Sequence, residues 1–240
     1  MPGQTSSTFE IGTHKYKIDR YADSVGAVKR PVVVVVHGVD GMDGESGIEI
    51  RKFAGEIAGQ GFIVFTPHYF DVNDGADTLP LTELFARRVP RVGSYPPRIA
   101  AAVDYALKQS DADRGRLGLI GLSLGGGLVL DYAESAPAGS VKAIVDFFGY
   151  IPDPKIYANA SRLPPTLILH NKNDGIVKVI NSSQPLLDSL DKTKVPHDHC
   201  FYDDHNLARG HHPFLPGGAA DLDSRSRSLT WLKTYIKPSS

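Results

Sequence analysis

Residues 32–36 read VVVVV. β-Branched side chains are stiff at χ1 and fit the pleated surface of a sheet. A strand that is apolar at every position, instead of at alternate ones, has to be covered on both faces, as the central strand of a parallel sheet is. Parallel strands need long crossover connections, and these are usually helical. The valine run therefore restricts the chain to an α/β arrangement, and the remaining pattern agrees. Strands are predicted at His14–Asp19, Val32–Val36, Ile63–Thr66, Leu117–Ile120, Ala143–Phe147, Thr166–His170 and His199–Tyr202. Helical periodicity lies between them. Ile99, Ala102, Val103, Ala106 and Leu107 form one stripe, Phe53, Ile57 and Ala58 a second, and Leu222, Leu229, Leu232 and Ile236 a third. The stretch 71–97, rich in Pro, Gly and Asp, reads as a loop excursion over one end of the sheet.

No repeat or long linker divides the chain, so residues 1–240 are expected to form one domain. With 22% charged residues and a formal net charge of -1, the basic side chains are scattered and make no patch for nucleic acid or an anionic membrane. The N-terminus, MPGQTSSTFE, has neither the positive nor the apolar region of a secretory signal. The valine run is far too short to span a bilayer. A soluble cytoplasmic protein is the expectation. Cys200 is the only cysteine, which excludes an internal disulfide and a cysteine-based metal cluster. Its place inside a predicted strand makes a buried, inert thiol the expected state.

In an open α/β sheet ligands bind at the carboxyl ends of the strands. Four such ends carry chemistry. After the strand ending at Ile120 comes Gly121-Leu122-Ser123-Leu124-Gly125, the G-x-S-x-G pattern of a nucleophile elbow, followed by a helix predicted over Leu124–Glu134. No Gly-Lys-Ser/Thr follows the glycines, so a phosphate-binding loop does not fit. A serine hydroxyl needs a base, and the base needs a carboxylate to orient it. The carboxylate candidate is Asp174, just past the strand ending at His170, with Gly175 beside it. The base candidates are His205, His211 and His212, between the last strand and the last helix, with His212 preferred. After Val36 comes His37-Gly38-Val39-Asp40-Gly41. An oxyanion needs two preorganised N–H donors. Leu124, following the nucleophile, and Val39 in this loop are the candidates.

The ordered set of His37-Gly38 after a valine strand, G-L-S-L-G-G, the H-N-K-N-D loop and the late His212-Pro213-Phe214 resembles the α/β-hydrolase fold. The compact chain is similar to the dienelactone hydrolase family within it, over about Pro31–Ile236. The resemblance implies a mostly parallel twisted sheet with helices on both faces and no large cap domain. It also implies that His212, in an H-x-F stretch, is the base, although Gly210-His211 carries the G-H half of the family's motif and His205 stands at another separation the family uses. Two departures matter. Dienelactone hydrolases proper carry cysteine where this chain has Ser123, and glutamate in the loop where it has His37-Gly38. The implied activity is therefore that of a general carboxylic-ester hydrolase acting on small soluble esters or lactones through an acyl-enzyme. A serine peptidase of the same fold acting on short peptides, and a non-catalytic binding protein that keeps the pocket, are the alternatives.

No metal or organic cofactor is implied, nor a nucleic-acid or membrane partner, and the oligomeric state is open. Tyr69, in Pro67-His68-Tyr69-Phe70-Asp71, is expected to line the substrate pocket. Arg87, Arg88, Arg91 and Arg98 are close enough in sequence to offer a cation to a substrate carboxylate, or else to form ordinary ion pairs.

Overall fold

A computed structural model describes residues 3–23, 28–203 and 218–237. Eight strands form one sheet: β1 (Gly3–Ile11), β2 (His14–Ala22), β3 (Arg30–Val36), β4 (Ile63–Pro67), β5 (Ala112–Leu122), β6 (Val141–Phe147), β7 (Thr166–Asn171) and β8 (His197–Tyr202). Their spatial order is β1-β2-β4-β3-β5-β6-β7-β8. The β1–β2 and β2–β4 pairs are antiparallel, and every other pair is parallel. The helices are α1 (Glu45–Ala58), α2 (Leu81–Arg88), α3 (Pro96–Leu107), α4 (Leu124–Ser135), the single turn α5 (Lys155–Ala158), α6 (Ser183–Leu190) and α7 (Ala219–Tyr235).

The valine strand divides the core as its pleat requires. Val32, Val34 and Val36 point into the cluster under α3, α4 and α6, while Val33 and Val35 meet α1 and α7 on the opposite face. The predicted stripe of α3 is buried at Ile99, Ala102, Val103 and Ala106, and Phe53 and Ile57 of α1 are buried as well. Of the stripe predicted for α7, Leu232 and Ile236 are buried and Leu229 is half-buried, but Leu222 is 64% exposed, and Ser224 and Ser228 help to complete the buried face. Small serines let this helix lie close to the sheet, and a Cβ on Gly118 of β5 would come within 2.7 Å of Ile236.

Two further differences from the sequence reading have clear causes. β1 was not predicted, because GQTSSTFEI is polar and mostly exposed. It forms by full-length pairing with β2 at the edge of the sheet, not by burying a face. The excursion after β4 is largely helical, with α2, two 3₁₀ turns and the start of α3 inside it.

β3 lies between β4 and β5, and the chain leaves it by α1 toward one face but leaves β5 by α4 toward the other. The carboxyl ends of β3 and β5 thus flank the crevice where the direction of winding reverses, the expected ligand position in such a sheet. No helix among the described residues is long and apolar enough to cross a membrane.

Candidate active site

Ser123 joins β5 to α4 at φ 53°, ψ −116°. A non-glycine residue avoids this conformation, and holding one there costs roughly 1–3 kcal/mol. The flanking glycines make the turn possible. A Cβ on Gly121 would fall 2.4 Å from the Gly125 carbonyl oxygen, and one on Gly125 would fall 2.2 Å from that of Val36. Strand, turn and helix approach closer than any side chain allows. The Ser123 carbonyl accepts from Gly126 N–H at 2.9 Å and Tyr150 N–H at 2.8 Å, so the turn is tied to its own helix and to the loop after β6. The hydroxyl does not cap α4.

The loop after β3 comes to the same place. A Cβ on Gly38 would sit 3.3 Å from Ser123 Cβ, so the His37-Gly38 step passes directly beside the serine. Leu124 supplies the first N–H of α4, one of those that a helix cannot pair internally. Val39, the other expected donor, is buried with its carbonyl held by Arg88 Nη1 at 2.7 Å. Arg88 also donates to the carbonyls of Asp74 (3.1 Å) and Gly75 (2.6 Å) and to Asp77 Oδ1 (2.7 Å). Asp77 Oδ2 in turn accepts from Met42 N–H at 2.8 Å and Asp43 N–H at 3.1 Å. Burial works against the Asp77 charge, but the Asp43 N–H and Arg88 outweigh it and hold its pKa below the usual carboxylate value. Residues 38–43 are thus bracketed from behind by one ion pair.

His37 is buried against Tyr69, with ring centroids 4.2 Å apart, and its Nδ1 donates to the Gly38 carbonyl at 2.8 Å. Burial pushes its pKa down to about 4, with the Gly38 carbonyl only partly offsetting that, so the ring is neutral at ordinary pH. Tyr69 corrects an expectation. It is fully buried, and its hydroxyl donates to the His37 carbonyl at 2.9 Å, so it supports the loop from beneath instead of facing a ligand. The arginines likewise resolve as ion pairs. Arg87 meets Glu83, Arg91 and Arg98 meet Asp71 and Asp74, and Arg88 meets Asp77.

Asp174 follows β7 and is buried. Its Oδ1 accepts from the N–H groups of Ile176 (2.8 Å) and Val177 (2.9 Å), which folds the loop back on itself. Its Oδ2 lies 3.1 Å from His170 Nε2, which is also 2.8 Å from the Val177 carbonyl. A carbonyl only accepts, so Nε2 carries the proton and donates to both, leaving Nδ1 to accept from Ser183 Oγ at 2.7 Å. His170 was not singled out in the sequence, although its position four residues before Asp174 is the signal. It anchors the loop that carries Asp174. The three base candidates, His205, His211 and His212, lie outside the described residues. Cys200 sits in β8 as expected but is half-buried, not fully buried.

Asp146, at the end of β6, is a second residue outside the sequence expectations. It is fully buried, and neither oxygen has a hydrogen-bond partner of good geometry among the described residues. A Cβ on either Gly126 or Gly149 would fall 2.3 Å from its Oδ1, so the carboxyl is wedged between the first turn of α4 and the loop carrying Tyr150. Burial pushes its pKa up to about 7, with the Gly149 N–H pulling weakly the other way. A lone acid in the apolar run AIVDFF was the available clue.

The chain is 28% identical to the bis(hydroxyethyl) terephthalate hydrolase of Streptomyces coelicolor over 184 residues, 75% of this chain and 50% of that protein. It spans about half the length of that relative. Among solved structures it superposes on the dienelactone hydrolase of Anabaena variabilis with a TM-score of 0.70 at 20% identity, covering 98% of this chain and 99% of that one. A dienelactone hydrolase-like promiscuous phosphotriesterase from metagenomic libraries gives 0.79 at 19% identity, covering 98% and 99%. The acylaminoacyl peptidase of Pyrococcus horikoshii gives 0.75 at 14% identity, covering all of this chain and 42% of that one. These likenesses establish the α/β-hydrolase fold. The sequence profile of the dienelactone hydrolase family matches residues 18–236, nearly the whole chain, and on that ground the protein belongs to the dienelactone hydrolase family.

Proposed function

We propose that the protein hydrolyses carboxylic esters or lactones of small substrates through an acyl-enzyme on Ser123. The observation that carries this reading is the strained serine turn at the end of β5 lying directly against Gly38. A serine in a merely structural bend has no need of such a backbone. In the reaction, Ser123 Oγ attacks the ester carbonyl while a histidine of the 204–217 segment takes its proton. Asp174 orients that histidine and stabilises its charged form. The N–H groups of Leu124 and Val39 receive the oxyanion, a contribution worth roughly 10²–10³ in rate per donor. The histidine returns its proton to the departing alcohol, and water then releases the acid by the reverse path. His212 is the preferred base, with His205 and His211 the other choices. His37 takes no part in proton transfer, because its Nδ1 is engaged and its pKa lies near 4. That the Streptomyces relative is a terephthalate-ester hydrolase by name supports esters as the substrate class.

A fluorophosphonate probe and a panel of p-nitrophenyl esters test the reading. Wild-type protein labels and turns over, and Ser123→Ala does neither. A Ser123→Ala protein of undiminished activity overturns it, and cleavage of aminoacyl amides but not esters assigns a peptidase instead. Alanine at the true base lowers kcat by about 10³ or more, since such residues act as a unit. Alanine at the other two histidines changes it little.

A further inference from the structure

The loop after β6 crosses the elbow and then turns away from it. Phe148 takes φ 44°, and Tyr150 N–H then binds the Ser123 carbonyl. A Cβ on Gly127 would strike the Tyr150 carbonyl oxygen at 1.9 Å, so loop and helix are in backbone contact one turn beyond the serine. A hollow of about 550 Å³ opens just there. Its apolar walls are Val92, Pro96, Leu128, Tyr150, Pro152 and Ile156. Gly127 is four residues after Ser123, so the hollow begins about 6 Å along the helix axis from it.

We infer that this hollow holds the acyl group of the ester, and that the group it selects is uncharged, either aryl or medium-chain alkyl. The inference rests on Ser123 being the nucleophile. The volume falls within the range of small-molecule sites. Its charge argues for a neutral occupant. The charged residues lining it are Asp131, Asp153 and Lys155, and they are already paired, with Lys155 Nζ 2.8 Å from Asp131 Oδ1 and 3.5 Å from Asp153 Oδ2. Among the described residues, a carboxylate-bearing acyl group finds no uncompensated cation there. The acyl side is preferred over the alcohol side because the acyl group stays attached to Ser123 through both half-reactions, whereas the alcohol departs after the first.

Gly93 provides the test. It lines the hollow, its backbone conformation suits any residue, and a Cβ built on it meets nothing within 4 Å. Gly93→Phe therefore brings a ring to the hollow from a backbone that accepts a Cβ. With the p-nitrophenol leaving group constant, kcat/KM of the wild type is expected to rise about fourfold per added methylene from acetate through hexanoate. Benzoate is expected to exceed acetate, and the monosuccinate to fall below butyrate. In Gly93→Phe the rise from acetate to hexanoate collapses to less than twofold, and in Val92→Ala the optimum shifts to longer chains. A flat wild-type series, an unchanged rise in Gly93→Phe, or a preferred monosuccinate overturns the inference while leaving the esterase reading intact. If no ester is hydrolysed, or Ser123→Ala still hydrolyses them, the esterase reading falls first.

Discussion

Asp146→Asn is expected to stabilise the protein, and to do so only as the pH rises. In the native state the carboxyl is fully buried without a well-formed hydrogen bond among the described residues, and its pKa is raised from 3.8 to about 7. The unfolded chain releases this proton near 3.8 and the folded one near 7, so between those values the folded state holds more protons. Its contribution to stability is therefore fully present below 3.8 and lost as the pH rises through 7. At 1.36 kcal/mol per unit, a gap of about three units amounts to about 4 kcal/mol at pH 8. Asparagine has nearly the same shape and carries no charge at any pH. Its amide is buried without partners as well, a cost of roughly 1–3 kcal/mol that does not vary with pH. Urea unfolding of both proteins at pH 4, 5, 6, 7 and 8 isolates the effect, because groups common to both cancel in the difference. The stability difference, variant minus wild type, should climb by about 4 kcal/mol from pH 4 to pH 8, with nearly all of the change complete by pH 7. A difference that stays within 1 kcal/mol across the range refutes the reasoning and places a partner on Asp146 that offsets its burial.

The remaining predictions concern the same corner of the molecule. Ser123→Gly removes the strain at φ 53° and should raise stability by about 1–3 kcal/mol, several degrees in Tm, while abolishing ester hydrolysis. An unchanged or lowered Tm in a thermal scan contradicts the strain. Arg88→Met strips Asp77 of its buried cation and should cost about 3–5 kcal/mol in urea unfolding. It should also lower kcat at least tenfold at temperatures where the variant is folded, because the Val39 carbonyl loses its anchor. His37 has a folded pKa below its unfolded value, so it costs stability as the pH falls from 6.5 toward 4, by about 3 kcal/mol in total. His37→Gln should flatten that part of the stability profile, and an unchanged acid limb would show that His37 is not the group responsible. Gly126→Ala drives a methyl into Asp146 and Gly149 and should give little soluble, cooperatively unfolding protein, whereas Gly55→Ala, with open space around it, should not.

Much of the sheet was readable because it is made of runs that are apolar at every position, a pattern that only two-sided burial satisfies. β3 and β5 illustrate this, and with them the positions of Ser123 and the His37-Gly38 loop. β1 was not readable, since its stability comes from backbone pairing that leaves no apolar signature in GQTSSTFEI. Asp174 is an acid candidate by order and spacing, and its contact with His170 four residues earlier is local, but the Ser183 hydroxyl that holds the other side of that ring comes from a separate helix that no local pattern connects. Tyr69 shows the opposite failure. An aromatic near a strand end suggests a ligand contact, yet Tyr69 is fully buried with its hydroxyl spent on the His37 carbonyl, whereas the arginines form the ion pairs expected of them, Arg88 also holding carbonyls thirteen to forty-nine residues away. A sequence shows which chemical groups are available, but not how much of each the fold consumes for itself.

The Arg88–Asp77 bracket bears on how such an enzyme can be altered. One side of the excursion after β4 supplies Val92, Gly93 and Pro96 to the hollow beside α4, and the other side clamps residues 38–43. In the proposed reaction a single stretch of chain serves both substrate choice and transition-state stabilisation. Exchanging that stretch with a relative's to import a new preference would then move residues 38–43 as well, unless Asp77, Arg88 and their carbonyl partners travel together. Point changes at Val92, Gly93 and Pro96 spare the clamp, whereas a change at Tyr95, whose hydroxyl holds Asp74 and the Arg88 carbonyl, would not, so in that reaction the first three are the route along which preference can drift without loss of rate.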